Sequence, residues 1–157
     1  MKFGAVDKTD FLIPPFVFFY VYLVFAAALH WPTIVHAQLF ASRALAWLGV
    51  AMCVVALVLM FASLVSFGSS FRIGIDTDRP DSLVTDGVFA FTRNPIYLAF
   101  GLVVVGEFLI LPHWILLLYV IGAFVLFHRQ VLREESYLAQ HYGEQYRVYC
   151  ERVPRYL

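Results

Sequence analysis

Two polar stretches of this chain carry the residues able to do chemistry. The first leads through Gly87 to Arg93–Asn94–Pro95–Ile96–Tyr97. Gly87 permits a turn, Asn94 can cap a helix, and Pro95 suits a first helical position, so a helix is expected to start at Asn94–Pro95. The unpaired backbone donors of that start, beside Arg93, would receive an anion. A capping motif with a snorkelling arginine accounts for the same residues without any ligand. The second stretch holds Glu134–Glu135 and then Tyr142, Tyr146 and Tyr149. From Glu135 onward the spacings are seven, four and three residues. These place the four side chains on one helical side if the phase survives Gly143. The result would be an aromatic wall headed by a carboxylate. An interfacial amphipathic segment, with tyrosines at headgroup depth, fits the same pattern. The two adjacent carboxylates call for cations, and Arg129 and Arg133 are close in sequence.

These stretches must be held by elements made of something quite different. Of the 157 residues, 62% are apolar and 14% charged. That is more apolar surface than a compact soluble fold covers with polar groups. Three apolar blocks stand out, residues 11–29, 43–67 and 96–127. A hydrocarbon slab of about 30 Å takes about 20 helical residues, so the last block is too long for one ordinary crossing. Leu111–Pro112–His113–Trp114 near its middle suits a bend at the headgroups, giving a helical hairpin whose second member runs on past Phe127. The expected fold is all-α: a polytopic integral membrane protein with about four transmembrane helices, the third and fourth in a short hairpin, and a cytosolic C-terminal helical segment. Residues 1–157 form a single membrane domain on this reading. Continuous apolar runs exclude the alternation of a membrane β-barrel. Lys2 and Lys8 mixed with Asp7 and Asp10, followed by Pro14 and Pro15, do not read as a signal peptide. Glu107 falls deep in the third crossing, where an ionised carboxylate is costly, and is expected to hydrogen-bond to the second or fourth helix.

Ten of the eleven basic residues fall on one side of this four-crossing arrangement, with Arg43 alone on the other. By the positive-inside rule that side, with both termini, faces the cytosol, of the cytoplasmic membrane if the source is bacterial. Eleven acids balance the eleven basic residues, which gives a nucleic-acid partner no compositional support. Cys53 lies within a crossing and Cys150 in the tail, so they are not expected to pair. No Cys/His spacing of metal-ligand type occurs, and no metal is expected.

Taken together, Arg93–Asn94–Pro95–Ile96–Tyr97, a glycine-containing apolar hairpin, Glu134–Glu135–Ser136–Tyr137–Leu138, residues 142–149 and Arg152–Val153–Pro154–Arg155 resemble the isoprenylcysteine carboxyl methyltransferase family and its relatives, which include phospholipid methyltransferases. The resemblance covers residues 83–155 and implies that this portion binds a cofactor and carries the catalytic site. It implies an integral membrane methyltransferase that uses S-adenosylmethionine in a cytosol-facing pocket. The acceptor would be a lipophilic or lipid-linked molecule entering from the membrane lipids, with a prenylcysteine-like carboxylate among the candidates. Cofactor contacts carried over are Arg93, Asn94, Pro95, Tyr97, Glu135, Tyr142 and Tyr146. Arg147, Arg152 and Glu134 are candidates for the catalytic side. The family commonly has histidine where this chain has Asn94, which removes an imidazole from proton transfer. A nicotinamide-dependent membrane reductase and a non-catalytic membrane protein are the alternatives.

Overall fold

The computed structural model describes residues 18, 20–22, 24–26, 29, 38–67 and 83–157. The first expected crossing and the loop around residues 76–80 lie largely outside them. Every named element among the described residues is helical. Helix α1 (Arg43–Phe67) is 25 residues long and apolar beyond Arg43, with Ser42 Oγ accepting from Leu45 N at 3.4 Å at its start. A 3-10 turn (Gly87–Ala90) leads to α2 (Pro95–Ile110), then α3 (Trp114–Tyr142) and α4 (Glu144–Arg152). At 1.5 Å per residue, α1 spans about 37 Å and α2 about 24 Å. Helices α1 and α3 are long and apolar enough to cross a membrane.

The expected hairpin is present. α2 ends with Leu111 N donating to Glu107 O at 2.8 Å, and α3 opens with His113 as its cap, Nδ1 accepting from Ile115 N at 3.2 Å. The bend is pinned from outside, because Leu39 N donates to Pro112 O at 2.8 Å and Gln38 pairs with His113. Trp47 and Trp114, both largely exposed, cluster at this end as interfacial aromatics do. As expected, α3 runs well past Phe127 into polar sequence.

Helices α1 and α2 meet through small residues. A Cβ on Gly106 would lie 2.7 Å from Gly49 O and from Cys53 Sγ, a distance no real Cβ tolerates. Without side chains at the contact the two backbones come together, as membrane helices do where lipid supplies no hydrophobic drive. The outward faces remain apolar: Leu57, Val58, Phe61 and Val65 of α1 and Ile121, Phe124 and Val125 of α3 are all more than half exposed. Such a surface requires lipid. The chain is an integral membrane protein. Glu107, expected to bond between helices, has a buried Oε2 with no hydrogen-bond partner among the described residues.

At the end away from the Pro112 bend, the 3-10 turn is clamped on two sides. Ser66 Oγ of α1 accepts from Val88 N at 3.3 Å, and Phe67 meets Phe89 edge-on at 4.8 Å between ring centres. Gly87 adopts φ 59°, and a side chain there would run into Ser66 Oγ, so both the turn and the packing require glycine. From the other side Tyr149 OH donates to Phe89 O at 2.7 Å. This clamp fixes the chain that leads into Arg93 and Asn94.

Candidate active site

The adjacent carboxylates of α3 serve different neighbours. One residue of helix turns a side chain by about 100°, so Glu134 and Glu135 cannot share a partner surface. Glu134 Oε1 accepts a short hydrogen bond from Tyr97 OH of α2 and another from Gln130 Nε2 at 3.3 Å. With the Tyr97–Phe127 ring contact, this locks α2 to α3. Glu135, only 8% exposed, faces the C-terminal segment. Its Oε1 accepts from Asn94 Nδ2 at 3.1 Å and stands 3.6 Å from Arg93 Nη1. Its Oε2 takes Arg155 Nε at 3.0 Å and Nη2 at 2.8 Å. The cations thus come from distant segments, Arg93 and Arg155, and not from the sequence neighbours first expected. Glu135 in turn holds the Arg155 guanidinium more firmly protonated than usual.

A strap of extended chain after α4 completes the arrangement. Arg93 N donates to Pro154 O at 3.0 Å, while Thr92 Oγ1 and Asn94 Nδ2 donate to Arg155 O at 3.2 and 3.1 Å. Pro95 occupies the first turn of α2 as expected. Asn94, however, makes no side-chain cap through Oδ1; its amide instead donates both Nδ2 hydrogens, to Glu135 and to the strap. That double donation from a single nitrogen is something an imidazole cannot provide. The anion that the structure shows beside this helix start is Glu135, 3.6 Å from Arg93 Nη1.

Gly143 ends α3 at φ 52°, so the helical phase does not continue from Glu135 to Tyr149. The aromatic wall forms by another route. α4 restarts in a new direction and buries Tyr146 and Tyr149 with Val153 against Leu83, Leu138 and Tyr142. Burial, with Glu135 nearby, pushes the Tyr146 phenol well above the usual tyrosine range. Burial also pushes Tyr149 up to about 12, partly opposed by Arg93.

Between α3, α4 and the strap lies a cavity of about 560 Å³. Leu132, Ser136 and Ala139 form its α3 wall, Tyr146, Arg147 and Cys150 its α4 wall, and Arg93, Glu135 and Arg155 its charged end. Arg93 Nη1 also donates to Cys150 Sγ. Among the described residues, two buried polar atoms here make no geometric hydrogen bond, Arg93 Nε and Tyr146 OH, the latter with the Cys150 thiol beside it. Buried donors in a native fold are seldom left so, and both border the cavity.

Residues 44–145 match the profile described as phospholipid methyltransferase, about two thirds of the chain. The chain belongs to the phospholipid methyltransferase family. It is 29% identical over 96 residues to protein-S-isoprenylcysteine O-methyltransferase of Schizosaccharomyces pombe, covering 59% of this chain and 41% of that one. It is 31% identical over 109 residues to protein-S-isoprenylcysteine O-methyltransferase B of Arabidopsis thaliana, covering 68% and 55%. The chain thus spans about half, or less, of the curated relatives it matches. A solved eukaryotic intramembrane Ras methyltransferase, isoprenylcysteine carboxyl methyltransferase, shares the fold at TM-score 0.68 and 23% identity, over 95% of this chain and 52% of that chain.

Within this phospholipid methyltransferase fold the candidate residues divide. Arg93, Glu135, Tyr146 and Arg147 line the cavity, and Asn94 is bonded to Glu135 at its edge. Arg147 stands at the rim, 64% exposed, paired with Glu144 and Glu151. Pro95 is buried in the helix start, Tyr97 and Glu134 form the α2–α3 lock, and Tyr142 packs behind Tyr146 and Tyr149. Arg152 is exposed and does not line the cavity. Sequence reasoning quoted Arg155 in the tail motif and noted Cys150 but gave neither a place in the site. The first has a visible signal, a cation directly after a proline that ends a helix, on extended chain able to reach back.

Proposed function

We propose that this chain is an S-adenosylmethionine-dependent methyltransferase whose acceptor is a lipophilic molecule bearing a prenylcysteine-like carboxylate. The observation that carries this reading is the buried Glu135, with Arg93 and Arg155 on it, at the wall of a cavity that also presents Tyr146. The donor is a zwitterion with a sulfonium, a ribose and an adenine. It needs a carboxylate for its ammonium or ribose hydroxyls, a cation for its own carboxylate, and aromatic faces for its ring and sulfonium. All three kinds of group border a space within the usual range for small-molecule sites. Arg93 Nε and Tyr146 OH, without a hydrogen-bond partner among the described residues, are donors that such a ligand would satisfy. When bound, the donor supplies a methyl group on a cationic sulfur; the acceptor oxygen gains it as the carbon–sulfur bond breaks, leaving a neutral thioether and a methyl ester.

The chain's own part is binding, alignment and exclusion of water. Glu135 holds the donor's ammonium or ribose, and Arg93 its carboxylate. Tyr146 lies against the cationic or aromatic parts. The Tyr97–Glu134 lock keeps α2 and α3 from separating while the acceptor enters from lipid. Residues 83–155 are the cofactor-binding and catalytic portion, and the basic residues orient this end toward the cytosol. A carboxylate acceptor is already deprotonated at neutral pH, so the absence of an imidazole at position 94 costs the reaction nothing. An amine acceptor would need a base there.

Calorimetry of the detergent-solubilised chain with S-adenosylhomocysteine, and radiolabelled methyl transfer to N-acetyl-S-farnesylcysteine in vesicles, test the reading together. Binding and base-labile methyl ester formation are expected. Absence of both, or binding of a reduced nicotinamide dinucleotide instead, would overturn it.

A further inference from the structure

His128 belongs to no feature described so far, yet its position is specific. It is seven residues before Glu135, two turns of α3, so the two side chains leave the helix within about 20° of each other and about 10 Å apart along the axis. Between them on that face lies Leu132, which lines the cavity at the end nearer the membrane. His128 is also the first charged or imidazole-bearing side chain after the apolar run 114–127 of α3, which places it at the boundary between hydrocarbon and headgroups. The strap reaches the same point. Past Arg155, which grips Glu135, Tyr156 OH shares a hydrogen bond of 2.9 Å with His128 Nδ1, and the rings lie 6.1 Å apart. Two consecutive strap residues thus hold two side chains on one helical face, one at the donor cavity and one a turn beyond it toward lipid.

We propose that His128, oriented by Tyr156, is the positioning residue for the acceptor's carboxylate. The inference rests on the methyltransferase reading above. A lipid-anchored acceptor carries its carboxylate at headgroup level, because an anion is not taken deeper into hydrocarbon. That is the depth of His128, which lies about 10 Å along α3 from the charged end of the donor cavity. In the tautomer in which the Tyr156 phenol donates to Nδ1, the other ring nitrogen, Nε2, carries its N–H on the edge turned away from the strap and donates to a carboxylate oxygen.

Full-length protein in vesicles, with N-acetyl-S-farnesylcysteine as the acceptor probe, decides the matter. His128→Ala and His128→Asn should raise the acceptor KM by about tenfold or more, the effect of losing a hydrogen bond to a charged group. His128→Gln keeps an N–H near the Nε2 position and should stay close to wild type. Tyr156→Phe should shift the acceptor KM in the same direction by a smaller factor. Throughout, S-adenosylhomocysteine affinity should stay within about twofold, which also reports that the variants are folded. An unchanged acceptor KM in His128→Ala, rescue by Asn and not Gln, or a parallel loss of donor affinity would overturn the proposal while leaving the methyltransferase reading intact. A wild-type chain that neither binds S-adenosylhomocysteine nor methylates the probe would remove both.

Discussion

Glu135 and Asn94 form the hinge of the site at the residue scale, and each has two tasks. A carboxylate that holds a ligand and also draws the strap inward should reveal both roles on substitution. Glu135→Gln is expected to weaken S-adenosylhomocysteine binding about tenfold, the loss of one charge-assisted bond. It should also cost about 2 kcal/mol of stability, below the roughly 3–5 kcal/mol for breaking a fully buried pair because the Arg155 partner is partly exposed. Calorimetry and thermal melting in detergent measure the two effects separately. A surface ion pair with Arg129 or Arg133, the arrangement the sequence suggested, would show almost no stability loss. For Asn94, replacement by Ala removes both donated bonds, at a cost of about 1–3 kcal/mol. Asn94→Asp should melt lower still, since it sets a second carboxylate beside Glu135. The motif around residues 93–97 was visible in sequence, but the use of the asparagine was not. Its two acceptors lie 41 and 61 positions away, and no local spacing encodes them.

At the scale of elements, the hairpin and the start of α2 were legible because proline acts locally: Pro112 and Pro95 each forbid a helical backbone bond at a definite place. Gly143 was harder to read. A glycine inside a helical pattern is usually tolerated, and only the positive φ adopted here turns α4 aside. The tyrosine spacing named the right side chains for the wrong geometry. α4 is held chiefly by Tyr146 and Tyr149, whose neutral phenols suit burial, and this makes its docking sensitive to alkali. The folded phenols titrate above the unfolded value near 10, Tyr149 at about 12, so their contribution is complete below pH 10 and is lost as pH rises toward 12. Tyrosinate absorbance with helical circular dichroism should show a fraction of phenols ionising late, together with loss of structure. Tyr149→Phe should remove part of that late fraction. Elsewhere, Gly106→Ala should cost about 1–3 kcal/mol by overpacking, since Gly49 O and Cys53 Sγ leave no room for a methyl group, and melting in detergent would measure it.

The whole molecule has an apolar bundle in lipid with one polar end, and composition alone sufficed to read that much. The orientation proposed from the distribution of basic residues is open to a direct check. In a variant lacking Cys53 and Cys150, a cysteine at Gln140 should react with a membrane-impermeant maleimide only from the cytosolic side. One at Ser42 should react only from outside. The reverse pattern would invert the topology. The strap over residues 92–94 has a bearing on how the protein comes into being. Helices α1 to α3 pack on one another within residues 43–142, while the strap begins at residue 153, and every bond it makes to residues 92–94 spans about sixty positions. Insertion into the bilayer and acquisition of the site are therefore separate events in the life of the chain. A nascent polypeptide stalled before residue 153 would already hold the apolar helices and most of the pocket lining, but not Arg155 or the bonds that tie the strap to residues 92–94.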